Sequence, residues 1–278
     1  MKKQVIVALG GLGLVLLMFL LGSNVKKKDP TSVEVKPSSN FNIVVYTDSL
    51  KNTLSASQSS YLSGLETDLP SDSAARAEKF RQIASFWKDS IKAFEPFAYY
   101  FSAASKLDNS EKSLTFAAHL MLDNLRMQQN EAMLAWHSNE TIDLFKRALT
   151  FDPDNDDLRI GLGSAHIYGQ GRAGNPDETM KGIQEVLTVA RKDSNNMKAQ
   201  MVLGVGGMVS GQFDKARDRF LKVVSNQPNN LEAIAYLADT YAAMGEKQEA
   251  IKWYNISKKL ADNPHYSKEV DERIRQLK

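Results

Sequence analysis

No cysteine occurs in the 278 residues, which removes disulfides, thiolate metal sites, thiol nucleophiles and an N-terminal lipid-modified cysteine together. A surplus of either charge is also missing. Lys and Arg number 35 against 33 Asp and Glu, a net charge of +2, and no basic stripe is interleaved with aromatics, so nucleic acid is not an expected partner. Histidine is scarce: His119, His137, His166 and His265 form no His-Glu-x-x-His motif, and none has a carboxylate and a second histidine at helical metal-ligand spacing. Glycine is concentrated at Gly161-x-Gly163 and in the stretch 169–174. Neither follows a predicted strand or leads into Gly-Lys-Ser or Gly-Lys-Thr, so no phosphate cradle is expected. Asp152–Asp157 has the alternating acids of a calcium loop, but Asp157 holds the place of its glycine and Gly163 that of its glutamate. Pro153 and a helix cap at Asp156 fit a turn between helices. The expectation is no metal, no cofactor and no small-molecule substrate.

What the chain does have begins with one long apolar run. Gln4 to Val25 carries no charge, and Val5–Leu21 is flanked by Lys2-Lys3 and by Lys26-Lys27-Lys28. As a helix this run would span about 25 Å, close to a bilayer core. It is longer than the about 7–15 apolar residues of a cleaved signal peptide, and Gly22-Ser23-Asn24 is a poor cleavage site. Residues 1–22 are therefore expected to form an uncleaved transmembrane helix in the inner membrane. The flanking lysines nearly cancel as orientation signals, and the short head before the span favours a periplasmic soluble part. Residues 23–46 read as a tether in which Pro30 and Pro37 oppose helix. Within it, Phe41–Tyr46 is a short β-prone run, either a lone strand or a plug on the first helices.

From 47 to 130 the chain reads as a divergent helical region. Thr47 or Asp48 can cap a helix running to about Thr67, Leu69-Pro70 ends it, and Ser71 or Asp72 caps the next. That next helix carries Phe80, Ile83, Phe86, Trp87 and Ile91 at helical spacing, a core face. Phe94–Leu107 and Glu111–Met127 look like a degenerate pair of helices, and a further helix starts near Asn130.

Beyond this the chain repeats itself. In 197–230, Ala199, Val202, Leu203, Gly206 and Gly207 lie at helical spacing, Gly211 breaks the run, and Phe213, Ala216, Phe220 and Val223 resume it before Pro228. Thirty-four residues on, Leu203 is matched by Leu237, Gly211 by Gly245, Ala216 by Ala250 and Phe220 by Tyr254. Asp156–Asn196 is a stretched copy that keeps Leu162-Gly163, Gly182 and Val186, its extra residues falling in the turn around 169–179. Thr141, Phe145, Ala148 and Pro153 form the second half of an earlier copy. Ser267–Leu277 is charged apart from Val270, Ile274 and Leu277, as a terminal capping helix must be.

In its period, and in Leu203-Gly204 and Ala216-x-x-x-Phe220 running to Pro228, the chain resembles the tetratricopeptide-repeat family, although Gly207 stands where the family has an aromatic. Tyr241 restores that aromatic in the next copy. The resemblance implies an all-α fold: a right-handed superhelical solenoid of helical hairpins over 131–264, with regular copies at 197–230 and 231–264 and a cap at 265–278. It also implies a non-enzymatic scaffold that binds a partner protein or peptide in its concave groove, beside the membrane to which the N-terminal helix ties it. Family geometry directs Ile160, Ser164, Ile167, Lys198, Met201, Val205, Met208, Glu232, Ala235 and Asp239 into the groove. Most are uncharged, so an apolar segment is the expected occupant. Chaperone-binding relatives clamp a terminal carboxylate with Lys, Arg and Asn at such places, whereas here Lys198 stands alone against Glu232 and Asp239. The alternative reading is an enzyme with its site in 41–130, yet the apolar face Phe80–Ile91 offers such a site no buried titratable group.

Overall fold

The computed structural model describes residues 41–278; the expected anchor and the tether up to residue 40 lie outside the described residues. Short polar side chains set where most helices begin. Asn42, Ser55, Asp72, Ser110, Asn130, Asn155, Asn175, Asn196, Asn230 and Asn263 each accept a hydrogen bond from a backbone N–H of the following first turn, relieving donors that a helix start leaves unpaired. The helices so begun are α1 (Ile43–Lys51), α2 (Ala56–Glu66), α3 (Ser73–Ser85), α5 (Glu111–Met127), α6 (Glu131–Leu149), α7 (Asp156–His166), α8 (Pro176–Lys192), α9 (Met197–Val209), α11 (Leu231–Ala243) and α13 (Pro264–Leu277). Three start without a side-chain cap: α4 (Phe94–Asp108), α10 (Phe213–Asn226) and α12 (Lys247–Ala261). The last two follow Gly211 and Gly245, whose φ values of 72° and 78° close the C-terminal ends of α9 and α11 and turn the chain back. No strand occurs among the described residues, and none of their helices is long and apolar enough to cross a membrane.

Antiparallel hairpins follow from the short connections. α3 packs on α4, α5 on α6, α7 on α8, α9 on α10 and α11 on α12, and α13 closes the end against α12. This pairing corrects the expected partnership of 94–107 with 111–127: those helices belong to successive hairpins, and 111–127 pairs with the helix that follows it. The reason lies in α5, whose apolar stripe of Leu114, Ala117, Ala118, Met121 and Leu125 is fully buried with Leu144, Phe145 and Ala148 of α6 in a single cluster.

Two further expectations change at the N-terminal end. Phe41–Tyr46 is neither strand nor tether; from Ile43 it is helix α1, nucleated by Asn42, with Ile43 and Thr47 buried one turn apart. Phe41 packs on Tyr46 and Trp136 at ring separations of 5.4 and 5.9 Å. The single helix expected from Thr47 or Asp48 to Thr67 is two, because Ser55 and Gln58 form a reciprocal capping box that starts α2 afresh.

In the regular copies the small residues act as expected. A Cβ on Gly204 would lie 2.4 Å from the Phe220 ring, so only glycine lets α9 and α10 approach at that point. In the stretched copy, Gly163 and Gly182 face each other in the same way, each Cβ position within 2.7 Å of the other's carbonyl oxygen. The added residues form a wide π turn, Ile167–Gly171, and the bend that follows it.

Candidate functional site

The first helices of successive hairpins, α5, α7, α9 and α11, pack side by side, and there they enclose a cleft of about 420 Å³. Its floor is apolar, built from Leu122, Ile160, Met201 and Val202, and its walls carry His119, Asp123, Arg126, Asp157, Lys198 and Glu232. Most of these charges are paired with one another. Lys198 Nζ lies 2.7 Å from Asp157 Oδ1, and His119 Nε2 lies 3.4 Å from Asp157 Oδ2. Arg126, at the end of α5, donates to Glu232 in the first turn of α11, 106 positions away, and so straps the cleft from wall to wall.

The strap has support on one side only. The Arg126 guanidinium lies 5.0 Å over the Tyr168 ring, a cation–π contact. Burial works against its charge, but the neighbouring Tyr168, Glu232 and Tyr236 more than offset this and hold its pKa above the usual guanidinium value. The Tyr168 hydroxyl is held in its neutral form, its pKa raised chiefly by burial. The end of α5 is fixed by Arg172 of the added bend, which donates to the carbonyl oxygens of Leu125, Arg126 and Gln128 at 3.3, 3.0 and 2.6 Å. These carbonyls lie at the end of the helix, where intrahelical donors run out; Leu125 O also accepts the Gln128 N–H at 3.3 Å. Glu232, by contrast, is 47% exposed and has no partner but Arg126 among the described residues.

The ten expected groove residues divide. Ile160, Ser164, Lys198, Met201 and Glu232 meet in the cleft. Ile167 does not: it is fully buried, with Gly182 and Gly206 leaving the space that its side chain fills. Val205 is 5% exposed, enclosed because α7 and α11 flank α9 on both sides. Met208 is half-buried, and its Sδ lies 3.0 Å from Thr240 Oγ1, whose proton goes to the Tyr236 carbonyl oxygen, so it belongs to the contact between repeats. Ala235 is half-buried outside the cleft lining. Asp239 is held by Tyr254 Oη at 2.5 Å and by Arg273 Nη1 at 2.6 Å, a lock between α11, α12 and the capping helix. Its neighbourhood raises the Tyr254 hydroxyl to about 12, by burial first and then by the Asp239 carboxylate.

His119, Asp123, Arg126 and Tyr168 join the cleft beyond the expected set. The first three lie at i, i+4 and i+7 of α5, a legible helix-face spacing, but nothing in 111–127 marks α5 as the first helix of a stacked hairpin. His166 is buried and bonds Glu178 Oε2 through Nδ1 at 2.6 Å. Burial acts against the Glu178 charge, but Lys181 and His166 more than compensate and lower its pKa. Among the described residues no group of three or more His, Asp or Glu side chains is placed to hold a metal ion.

Residues 209–268 match the family model of the tetratricopeptide repeat. Among solved structures, the chain is similar to TTC0263, a thermophilic tetratricopeptide protein of Thermus thermophilus, at 14% identity over 72% of this chain and 98% of that one, with a TM-score of 0.51. It is also similar to MamA (18% identity, 67% and 92% covered, TM-score 0.46). A third similar structure is YrrB, described as having an unusual peptide-binding site (16% identity, 70% and 92% covered, TM-score 0.45).

Proposed function

We propose that this chain, a tetratricopeptide-repeat protein, is a non-enzymatic scaffold that seats a segment of a partner protein in the cleft between α5, α7, α9 and α11. The observation that carries this reading is the cleft itself: an apolar floor with a half-buried methionine, Met201, inside a rim of charged side chains. A flexible thioether suits a surface that accommodates varied apolar anchors. Val5–Leu21 would tie the scaffold to the inner membrane with the cleft on the periplasmic side, supported by the length of that run and by the short head before it.

The test places a photocrosslinking amino acid at Lys198, on the cleft rim and 73% exposed, in the full-length chain in cells. One discrete adduct is expected, retained in carbonate-washed membranes and reduced about tenfold by a further Met201→Glu, since an unpaired carboxylate on an apolar floor costs more than 1 kcal/mol. The melting temperature should not move. An equal adduct from Asp214, which is 80% exposed on α10, or an adduct indifferent to Met201→Glu, would refute the cleft as the binding surface. Loss of the adduct to the carbonate wash would refute the anchor alone.

A further inference from the structure

Charge pairing within the cleft is uneven. Arg126 is engaged by Glu232 and Lys198 by Asp157. Asp123, one turn before Arg126 on the exposed side of α5, lines the same cleft and has no hydrogen-bond or ion-pair partner among the described residues. Three carboxylates, Asp123, Asp157 and Glu232, thus stand against two permanent cations, and both cations are already taken. An anion entering the cleft would face Asp123 and would have to displace Glu232 from Arg126. A cation finds Asp123 open, with Asp157 and Glu232 behind it, each held only by solvent-exposed pairs that are cheap to rearrange.

We infer that the cleft selects a partner segment in which a single Lys or Arg stands next to two or three apolar side chains. The apolar groups sit on Leu122, Ile160 and Met201, and the cation sits on Asp123. The complementarity is one of sign: opposite charges at a rim favour the right partner, and like charges exclude wrong ones. This rests on the cleft reading above and adds to it the charge of the partner.

Three fluorescein-labelled peptides, Gly-Leu-Ile-X-Leu-Met-Gly with X as Lys, Gln or Glu, are titrated by fluorescence anisotropy against the full-length chain in nonionic detergent. The Lys peptide is expected to bind about fivefold tighter than the Gln peptide, as a rim ion pair allows, with the Glu peptide weakest. Asp123→Asn should bring the Lys peptide to the Gln level with the melting temperature unchanged, because the wild-type side chain is exposed and unpaired. Raising salt from about 0.05 to 0.5 M should close the same gap by screening. A Gln or Glu peptide that binds as tightly as the Lys peptide, or a Lys preference that survives Asp123→Asn, overturns the inference and leaves the cleft reading standing. Failure of all three peptides to bind overturns both.

Discussion

The two ends of the described chain solve the same packing problem with different residues. In the regular hairpins, α9 to α12, helices meet through small side chains: Ala216, Ala238 and Ala250 are fully buried, and glycines turn the corners at positive φ. At the N-terminal end, rings fill the gaps. Phe80 meets Tyr100, Phe94 meets Phe97, and Phe97 meets Phe101, with centroids 5.6–5.8 Å apart, while Asp68, Lys92 and Asn109 take the left-handed turn positions. Buried polar atoms without partners occur at both ends, at Thr47, Trp87, Ser102 and His137 and at Trp253 of α12. Small-residue packing fixes a repeat geometry, since each contact has one admissible distance. Aromatic packing tolerates several orientations.

The largest effect should come from filling the small sites. Ala216→Trp or Ala250→Trp places an indole where nothing is exposed, and Ala216 already lies within about van der Waals contact of Gly207, whose added Cβ would be 3.0 Å away. Overpacking costs about 1–3 kcal/mol and more where backbone is the obstacle, so either variant should unfold α9 to α13 as coupled neighbours. Circular-dichroism melts check this. Unchanged melting in both would mean that small-residue contact does not define the regular end.

The next effect belongs to the aromatic end. His137 is fully buried, lies between the Phe94 and Trp136 rings at 5.9 and 4.7 Å, and has no partner on either ring nitrogen. Burial depresses its pKa from 6.5 to about 4. The unfolded chain therefore takes up a proton through pH 6.5 that the folded chain refuses until about pH 4, and stability present above pH 6.5 is lost as pH falls across that window. The full loss is on the order of 3 kcal/mol. His137→Leu, which removes the titrating group and the unpaired nitrogens together, should flatten this part of the stability–pH profile measured by urea denaturation. A profile unchanged by the substitution would show that His137 gains a partner on acidification.

The same contrast explains what is legible in the sequence. Leu203, Gly211, Ala216 and Phe220 and their matches Leu237, Gly245, Ala250 and Tyr254 can be read because their roles are local: each contact lies within one hairpin or between adjacent ones. Half of the expected groove residues lie elsewhere for a related reason. The family template assigns directions to first-helix residues, but the curvature that encloses Val205 and Ile167 depends on how neighbouring hairpins close around α9. The Arg126–Glu232 strap spans 106 positions and depends on that accumulated curvature, which no single repeat specifies. Helix α1 is hidden although its cap, Asn42, is visible, because the β-branched Ile43-Val44-Val45 that follows has strand propensity, which packing of Ile43 and Thr47 overrides. The π turn at 167–171 has no simple residue signature, yet it is what delivers Tyr168 to the cleft and Arg172 to the end of α5.

The smallest effect sharpens the comparison most directly, because it uses the same residue type at the other end of the molecule. Gly64 lies inside α2, where an added Cβ would meet no atom within 4 Å, so this glycine serves no close approach. It loses backbone entropy on folding without a compensating contact, and its φ does not fall in the left-handed region. Gly64→Ala should therefore stabilise the protein by about 0.4–1 kcal/mol, whereas Gly204→Ala, which drives a methyl into the Phe220 ring, should destabilise it. Opposite shifts in urea midpoint for the two substitutions are the expected outcome. A destabilised Gly64→Ala would mean that α2 is packed against something beyond the contacts of residues 41–278, and the aromatic end would then owe its irregularity to a missing neighbour rather than to its own side chains.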